Sequence, residues 1–159
     1  MLTEENKEFY EKYFQENADY YLIQMKKLDK QGKCSFSIPA FFLGFLWMAY
    51  RKMYKYILIL MGIIIAEAFI EEALYSFGII SIEIYEIIDI ISRIFWAIVI
   101  GLLANKFYIL KSQKDINRIM EEHSDKERRI HLITKKGGTS LIAPISLIAI
   151  IVLLVVVGI

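Results

Sequence analysis

Between Lys55 and Lys106 the chain carries six carboxylates, Glu67, Glu71, Glu72, Glu83, Glu86 and Asp89, and a single base, Arg93. Glu67 and Glu71 stand four residues apart, which on a helix places them on one face. Two like charges at that spacing repel unless one carries a proton or a cation lies between them. Asp89 and Arg93 have the same spacing with the acid N-terminal to the base, the order that favours an ion pair along a helix. Arg93 is also the only counter-ion that this stretch offers to Glu67 or Glu71. With Asn105, these four residues form a candidate polar site. Two chemistries fit it: a pathway for protons or cations, or an ion pair that anchors a helix at a membrane surface.

A second group is Trp47, Tyr50, Arg51 and Lys52, where aromatic rings adjoin cations. Such a group suits lipid headgroups, either as plain interfacial anchoring or as recognition of an anionic headgroup. No catalytic residue emerges. The chain has no Gly-x-Ser-x-Gly elbow, no His-Glu-x-x-His helix and no phosphate-binding Walker loop. His123 and His131 lie eight apart in a charged stretch, far from the lone Cys34, and make a poor metal set. No metal and no cofactor are expected, and one cysteine permits no internal disulfide. Nineteen bases against eighteen acids leave a net charge of +1, which argues against nucleic acid as a partner.

The elements that must hold these residues follow from how the apolar residues are distributed. Hydrophobic residues make up 57% of the 159 while 23% are charged, so the apolar excess sits in blocks. The block 54–77 is long enough to span a bilayer, as is 87–110, and 141–159 has no charge at all. The stretch 81–89 reads as the connection between the first two. The block 36–52 is shorter. Its apolar part covers only 38–50, roughly 20 Å of helix, and Arg51 and Lys52 end it. It is expected to lie in the interface or to enter and turn back, with a short span as the alternative. Upstream, 1–33 holds seven acids and six bases and lacks the apolar run of a secretory signal. Tyr10, Phe14, Tyr21, Met25 and Leu28 fall on one helical face, which predicts a single amphipathic helix capped by Thr3 and stopped by Gly32. The basic arm 106–136 is expected to prolong the second span beyond the bilayer and to restart as a short helix after Ser124 and Asp125.

The resulting expectation is an all-α integral membrane protein. It has an amphipathic helix over 1–33 and a membrane domain over 36–159, with three spans and one interfacial helix. The five acids and no base from Glu71 to Asp89 go outside, and the nine bases of 106–136 stay in the cytoplasm. The N-terminus is then cytosolic and the membrane is the cytoplasmic, or inner, one.

The stretch Ala40-Phe41-Phe42-Leu43-Gly44-Phe45-Leu46-Trp47-Met48-Ala49-Tyr50-Arg51-Lys52-Met53 resembles the hallmark of a bacterial membrane protein family of unknown function. Gly101-Leu102-Leu103-Ala104-Asn105-Lys106-Phe107-Tyr108 and Gly137-Gly138-Thr139-Ser140 are weaker likenesses to the same family. The chain departs from that pattern at Ser37-Ile38-Pro39, where Asn and Trp are expected. The resemblance implies a multi-span membrane protein and carries no activity, so no site residue transfers from it. Two functions from different classes remain. One is a non-enzymatic scaffold or accessory subunit that meets a membrane or cytosolic protein partner. The other is an oligomeric channel or transporter subunit that uses Glu67, Glu71 and Asp89. The bilayer is a partner in both, anionic lipid headgroups are a candidate one, and a homo-oligomer fits either.

Overall fold

A computed structural model describes residues 2–157, and among them every regular element is helical. The outermost residues of the expected 1–33 and 141–159 stretches, residues 1, 158 and 159, lie outside those described.

The expected single helix over 1–33 is corrected to two. α1 (Glu4–Phe14) opens with a reciprocal cap: the Asn6 N–H donates to Thr3 Oγ1 at 3.3 Å and the Thr3 N–H to Asn6 Oδ1 at 2.8 Å. A 3-10 turn at Gln15–Asn17 follows, and α2 (Ala18–Gln31) ends at Gly32 in the left-handed conformation. The break is held by tertiary contacts that periodicity does not reveal. Gln15, at φ 53°, donates through Nε2 to the Thr134 carbonyl at 3.0 Å, and the Tyr13 carbonyl accepts the Gly138 N–H at 2.7 Å. The kink lets Phe14 and Tyr21 both reach Tyr108, with ring centroids 5.6 and 4.8 Å away.

The block 36–52 is likewise two helices, α3 (Ile38–Leu43) and α4 (Phe45–Tyr50), hinged at Gly44. The Ser37 side chain caps α3 and Pro39 sits in its first turn, where a missing N–H costs nothing. Gly44 has φ 47°, which a side chain would strain. α5 (Tyr54–Ser76) and α6 (Ile82–Glu122) form an antiparallel pair. α6 begins within the expected connection 81–89, because Ile82 to Asp89 contains no helix breaker and its glutamates are good helix formers. It then runs without interruption for 41 residues, about 60 Å. α7 (Lys126–Lys136) is capped by Asp125, whose carboxylate accepts the Arg128 N–H at 2.7 Å. α8 (Ile142–Val157) leaves from beside α4, where the Ser140 N–H donates to the Tyr50 carbonyl at 2.9 Å.

The core lies at one end. Tyr13, Phe14, Tyr21, Met25, Met53, Tyr108, Ile109 and Ile133 are all but sealed from solvent where α1, α2, α4, α7 and the second half of α6 meet. At roughly 1.5–3 kcal/mol for each fully buried large side chain, this aromatic head is where the fold's stability is concentrated. The other end is built differently. α6 buries no described side chain before Ile100, and α5 buries only Glu71. Leu58, Phe69, Ile70, Ile87, Ile91 and Ile94 all stand exposed. Among the described residues one helix, α6, is long and apolar enough to cross a membrane.

Candidate functional site

α5 and α6 bring two of the four polar residues together through partners that the sequence reading overlooked. Glu67 and Glu71, one turn apart on α5, both face Ser92 on α6. The Ser92 hydroxyl lies 3.0 Å from Glu67 Oε1 and 2.8 Å from Glu71 Oε1. The Trp96 indole N–H donates to the other oxygen of Glu67. A hydroxyl has one proton to give, so at any instant Ser92 donates to one carboxylate, and the second contact closes only when a proton or cation comes from elsewhere. Spacing carried a usable signal. Ser92 and Trp96 stand four apart on α6, matching Glu67 and Glu71 on the antiparallel α5, and both put donors opposite that pair.

Arg93 does not join this cluster. It pairs with Asp89 one turn earlier, Nε to Oδ1 at 3.0 Å and Nη2 to Oδ2 at 2.5 Å, in a two-pronged bridge whose Arg93 side chain is 75% exposed. The i, i+4 pairing of the sequence reading is therefore the observed one, and the cross-helix pairing with Glu67 or Glu71 is not. All four residues line one cleft of about 680 Å3 between α5, α6 and the α3–α4 hinge, whose other walls include Phe41, Phe45 and Ile100. Its chemistry is that of an apolar slot with acids and hydrogen-bond donors along one side.

Asn105 lies elsewhere, sealed in the head. Its Nδ2 donates to Tyr20 Oη at 2.7 Å and to the Ser35 carbonyl at 2.9 Å, while its Oδ1 has no partner. It ties α2 and the segment before α3 to α6, and belongs to the packing of the head.

Of the aromatic–cation group, Trp47 and Arg51 turn inward. The Arg51 guanidinium sits 5.0 Å from the Tyr21 ring centre and 5.4 Å from those of Tyr50 and Tyr108, with Nε and Nη1 lacking hydrogen-bond partners. The ring faces take the place of a carboxylate as its counter-charge. Tyr50 is half-buried beside it. Lys52 points the other way and closes the end of α7, its Nζ donating to the Gly137 carbonyl at 2.6 Å and the Lys135 carbonyl at 3.2 Å.

A third cluster was only partly visible in the sequence: Lys111 and Asp115 stand four apart on α6, but Tyr13 lies about a hundred residues upstream. Tyr13 Oη donates to Asp115 Oδ2 at 2.7 Å, and Lys111 Nζ donates to Tyr13 Oη at 2.5 Å and Asp115 Oδ2 at 3.1 Å. Burial first, then the Asp115 charge and hydrogen bond, push the Tyr13 phenol well above its usual range. Burial likewise raises Tyr21, against which Arg51 pulls in the opposite direction. Among the described residues no three of His, Cys, Asp and Glu gather as a metal set.

No curated protein and no solved structure matches this chain. A family model does, over residues 3–114, which takes in the aromatic head's first two helices, the α3–α4 hinge, the Glu67–Ser92–Glu71 cluster and most of α6. The chain belongs to DUF2628, a family of proteins of unknown function.

Proposed function

We propose that the chain is a small integral membrane protein of the bacterial cytoplasmic membrane. It crosses three times, over 54–77, 87–110 and 141–159, and acts without catalysis as a scaffold or accessory subunit. The head and the basic arm 106–136 face the cytoplasm, and the turn between α5 and α6 faces outward. One observation carries this reading. Where the helices leave the head, α5 and the first half of α6 expose isoleucines and phenylalanines, while the one residue that α5 buries is the carboxylate Glu71. That inversion is costly in water and suits a solvent of lipid tails or the apolar face of another span. The 40–53 stretch supports the bacterial membrane origin by its resemblance, and the absence of a catalytic motif supports a binding role.

The test is photo-crosslinking in native membranes from Ile23 on the head and from Phe69 and Ile94 on the spans. A discrete protein adduct from Ile23 supports the scaffold reading. Adducts to lipid alone at all three positions overturn it.

A second reading rests on the shared Ser92 hydroxyl. Two carboxylates opening on an apolar cleft, with one proton between them and the serine, suit an oligomeric channel or transporter subunit. Adducts of the chain to itself from Phe69 or Ile94 favour that reading over the first.

A further inference from the structure

At the foot of α5, beside the second half of α6 and the end of α7, lies a cleft of about 570 Å3. Lys52 and Lys55 reach it from around the start of α5, and Lys111, Lys114 and Arg118 from α6. The last turn of α7 adds Lys135 and Lys136. The one acid in its lining, Asp115, is already committed. It accepts from Tyr13 and Lys111 as described above, and Arg118 Nη2 lies 3.8 Å from its other oxygen. Seven cations thus line a cleft whose one carboxylate is occupied, and beyond the lining Arg118 Nε lies 4.0 Å from Glu122 while Lys52 donates to the Lys135 and Gly137 carbonyls.

The crowding is felt by the groups themselves. Burial lowers the Lys111 ammonium from its usual range, Asp115 works against that, and Lys136 and Lys52 add to the lowering. Burial, then Lys136, lowers Lys52 in the same direction. An anion seated here removes this repulsion, and the site has several N–H donors to give it. The rest of the wall is formed by the buried Met53, the half-buried Tyr56 and the exposed Tyr54 and Ile59, so that aromatic and aliphatic surface leads from the cations along α5. Charge at one level and an aromatic and aliphatic track leading away from it match an amphiphile better than a free ion.

We infer that this cleft holds the phosphate of an anionic phospholipid, with the acyl chains lying along α5 from Tyr56 and Ile59. The inference rests on the membrane reading above and places the cleft at the cytoplasmic surface, where anionic headgroups lie. It moves headgroup recognition away from Trp47 and Arg51, which are buried, and gives it to the lysines that the helix pair brings together.

The full chain in neutral detergent is titrated with short-chain phosphatidylglycerol, phosphatidylcholine and inorganic phosphate while thermal unfolding is followed. Phosphatidylglycerol is expected to bind far more tightly than phosphatidylcholine, and inorganic phosphate only weakly. Lys55, Lys114 and Arg118 are exposed, so the triple variant Lys55→Gln/Lys114→Gln/Arg118→Gln folds, as circular dichroism checks. It is expected to lose on the order of a hundredfold in affinity for phosphatidylglycerol. Lys12→Gln/Lys26→Gln/Lys30→Gln removes the same charge from exposed positions outside the cleft and is expected to change nothing. Equal binding of the two lipids, or equal losses in the two triple variants, overturns the inference. So does inorganic phosphate matching the lipid, which would mark a free-anion site. Flotation of the wild-type chain with phosphatidylcholine vesicles in high salt separates the two claims: failure there overturns the membrane reading itself, whatever the titrations give.

Discussion

At the scale of single residues, the head is organised around buried polar groups such as Arg51, Asn105 and Ser112. Tyr21 supplies a ring face to Arg51, and its hydroxyl sits where ionisation is unfavourable. Its folded pKa lies above the ordinary value of 10.0. Both states keep the proton below that value, so the contribution to stability is fully present there. Above it the unfolded chain ionises first and stability falls as pH rises. Lys52 and Lys111, lowered in the fold, act with the opposite sign over the alkaline range. The comparison that isolates Tyr21 is therefore the variant: Tyr21→Phe is expected to flatten the decline in melting temperature between about pH 9 and about pH 11. An unchanged slope would show that Tyr21 titrates freely in the fold. Arg93 makes the contrasting case. Its bridge to Asp89 is largely exposed, so Arg93→Gln in detergent should cost under about 1 kcal/mol. A loss of about 3–5 kcal/mol, the range for breaking a buried pair, would place the guanidinium inside the bundle with Glu67 or Glu71 instead.

Among the elements, close approach to α6 is set by the side chains it lacks. A Cβ at Gly101 would run into the Phe36 ring and lie 3.1 Å from Phe41 Cβ, where the Ser37 N–H donates to the Gly101 carbonyl at 2.8 Å. Gly62 on α5 has open space around it. Gly101→Ala should therefore destabilise the chain by about 1–3 kcal/mol through overpacking. Gly62→Ala should stabilise it by up to about 1 kcal/mol through helix propensity. Thermal unfolding of the two variants side by side checks both, and equal effects would mean that α3 does not dock on α6 as described. The same contrast shows how far the sequence could be read. Helix type, the Thr3, Gly32 and Asp125 signals and the restart after Ser124 all depend on neighbours within four residues, and local chemistry makes them legible. The break at Gln15 depends on Thr134 and Gly138, so a periodicity that runs smoothly through Tyr10, Phe14 and Tyr21 hides it. In the sequence Arg51 and Lys52 look alike, two adjoining cations beside the aromatic rings of Trp47 and Tyr50. One residue along a helix end turns a side chain by roughly 100°, and only the fold says which of the two goes in.

Over the whole molecule, an aromatic head and a bare apolar pair of helices are joined by one continuous α6. The candidate polar cluster was half legible. The two glutamates announce themselves by charge, whereas Ser92 and Trp96 offer only a matching four-residue spacing, which takes on meaning once α5 is laid against α6. The proposed orientation is checked by cysteines at Ile82 and His123 in a Cys34→Ser background, treated with an impermeant thiol reagent on intact cells. Position 82 should label and position 123 should not, and the reverse pattern would invert the protein in the membrane. The unbroken length of α6 has a mechanical consequence. About 60 Å of helix is twice the thickness of a bilayer's hydrocarbon core, and its second half is gripped by α1, α2 and α7. Such a rod is a lever. Under the proposed membrane reading, a thinner or thicker bilayer that re-tilts it by roughly 10° about its Ile82 end swings the far end by about 10 Å, and the helices packed on that end are carried with it.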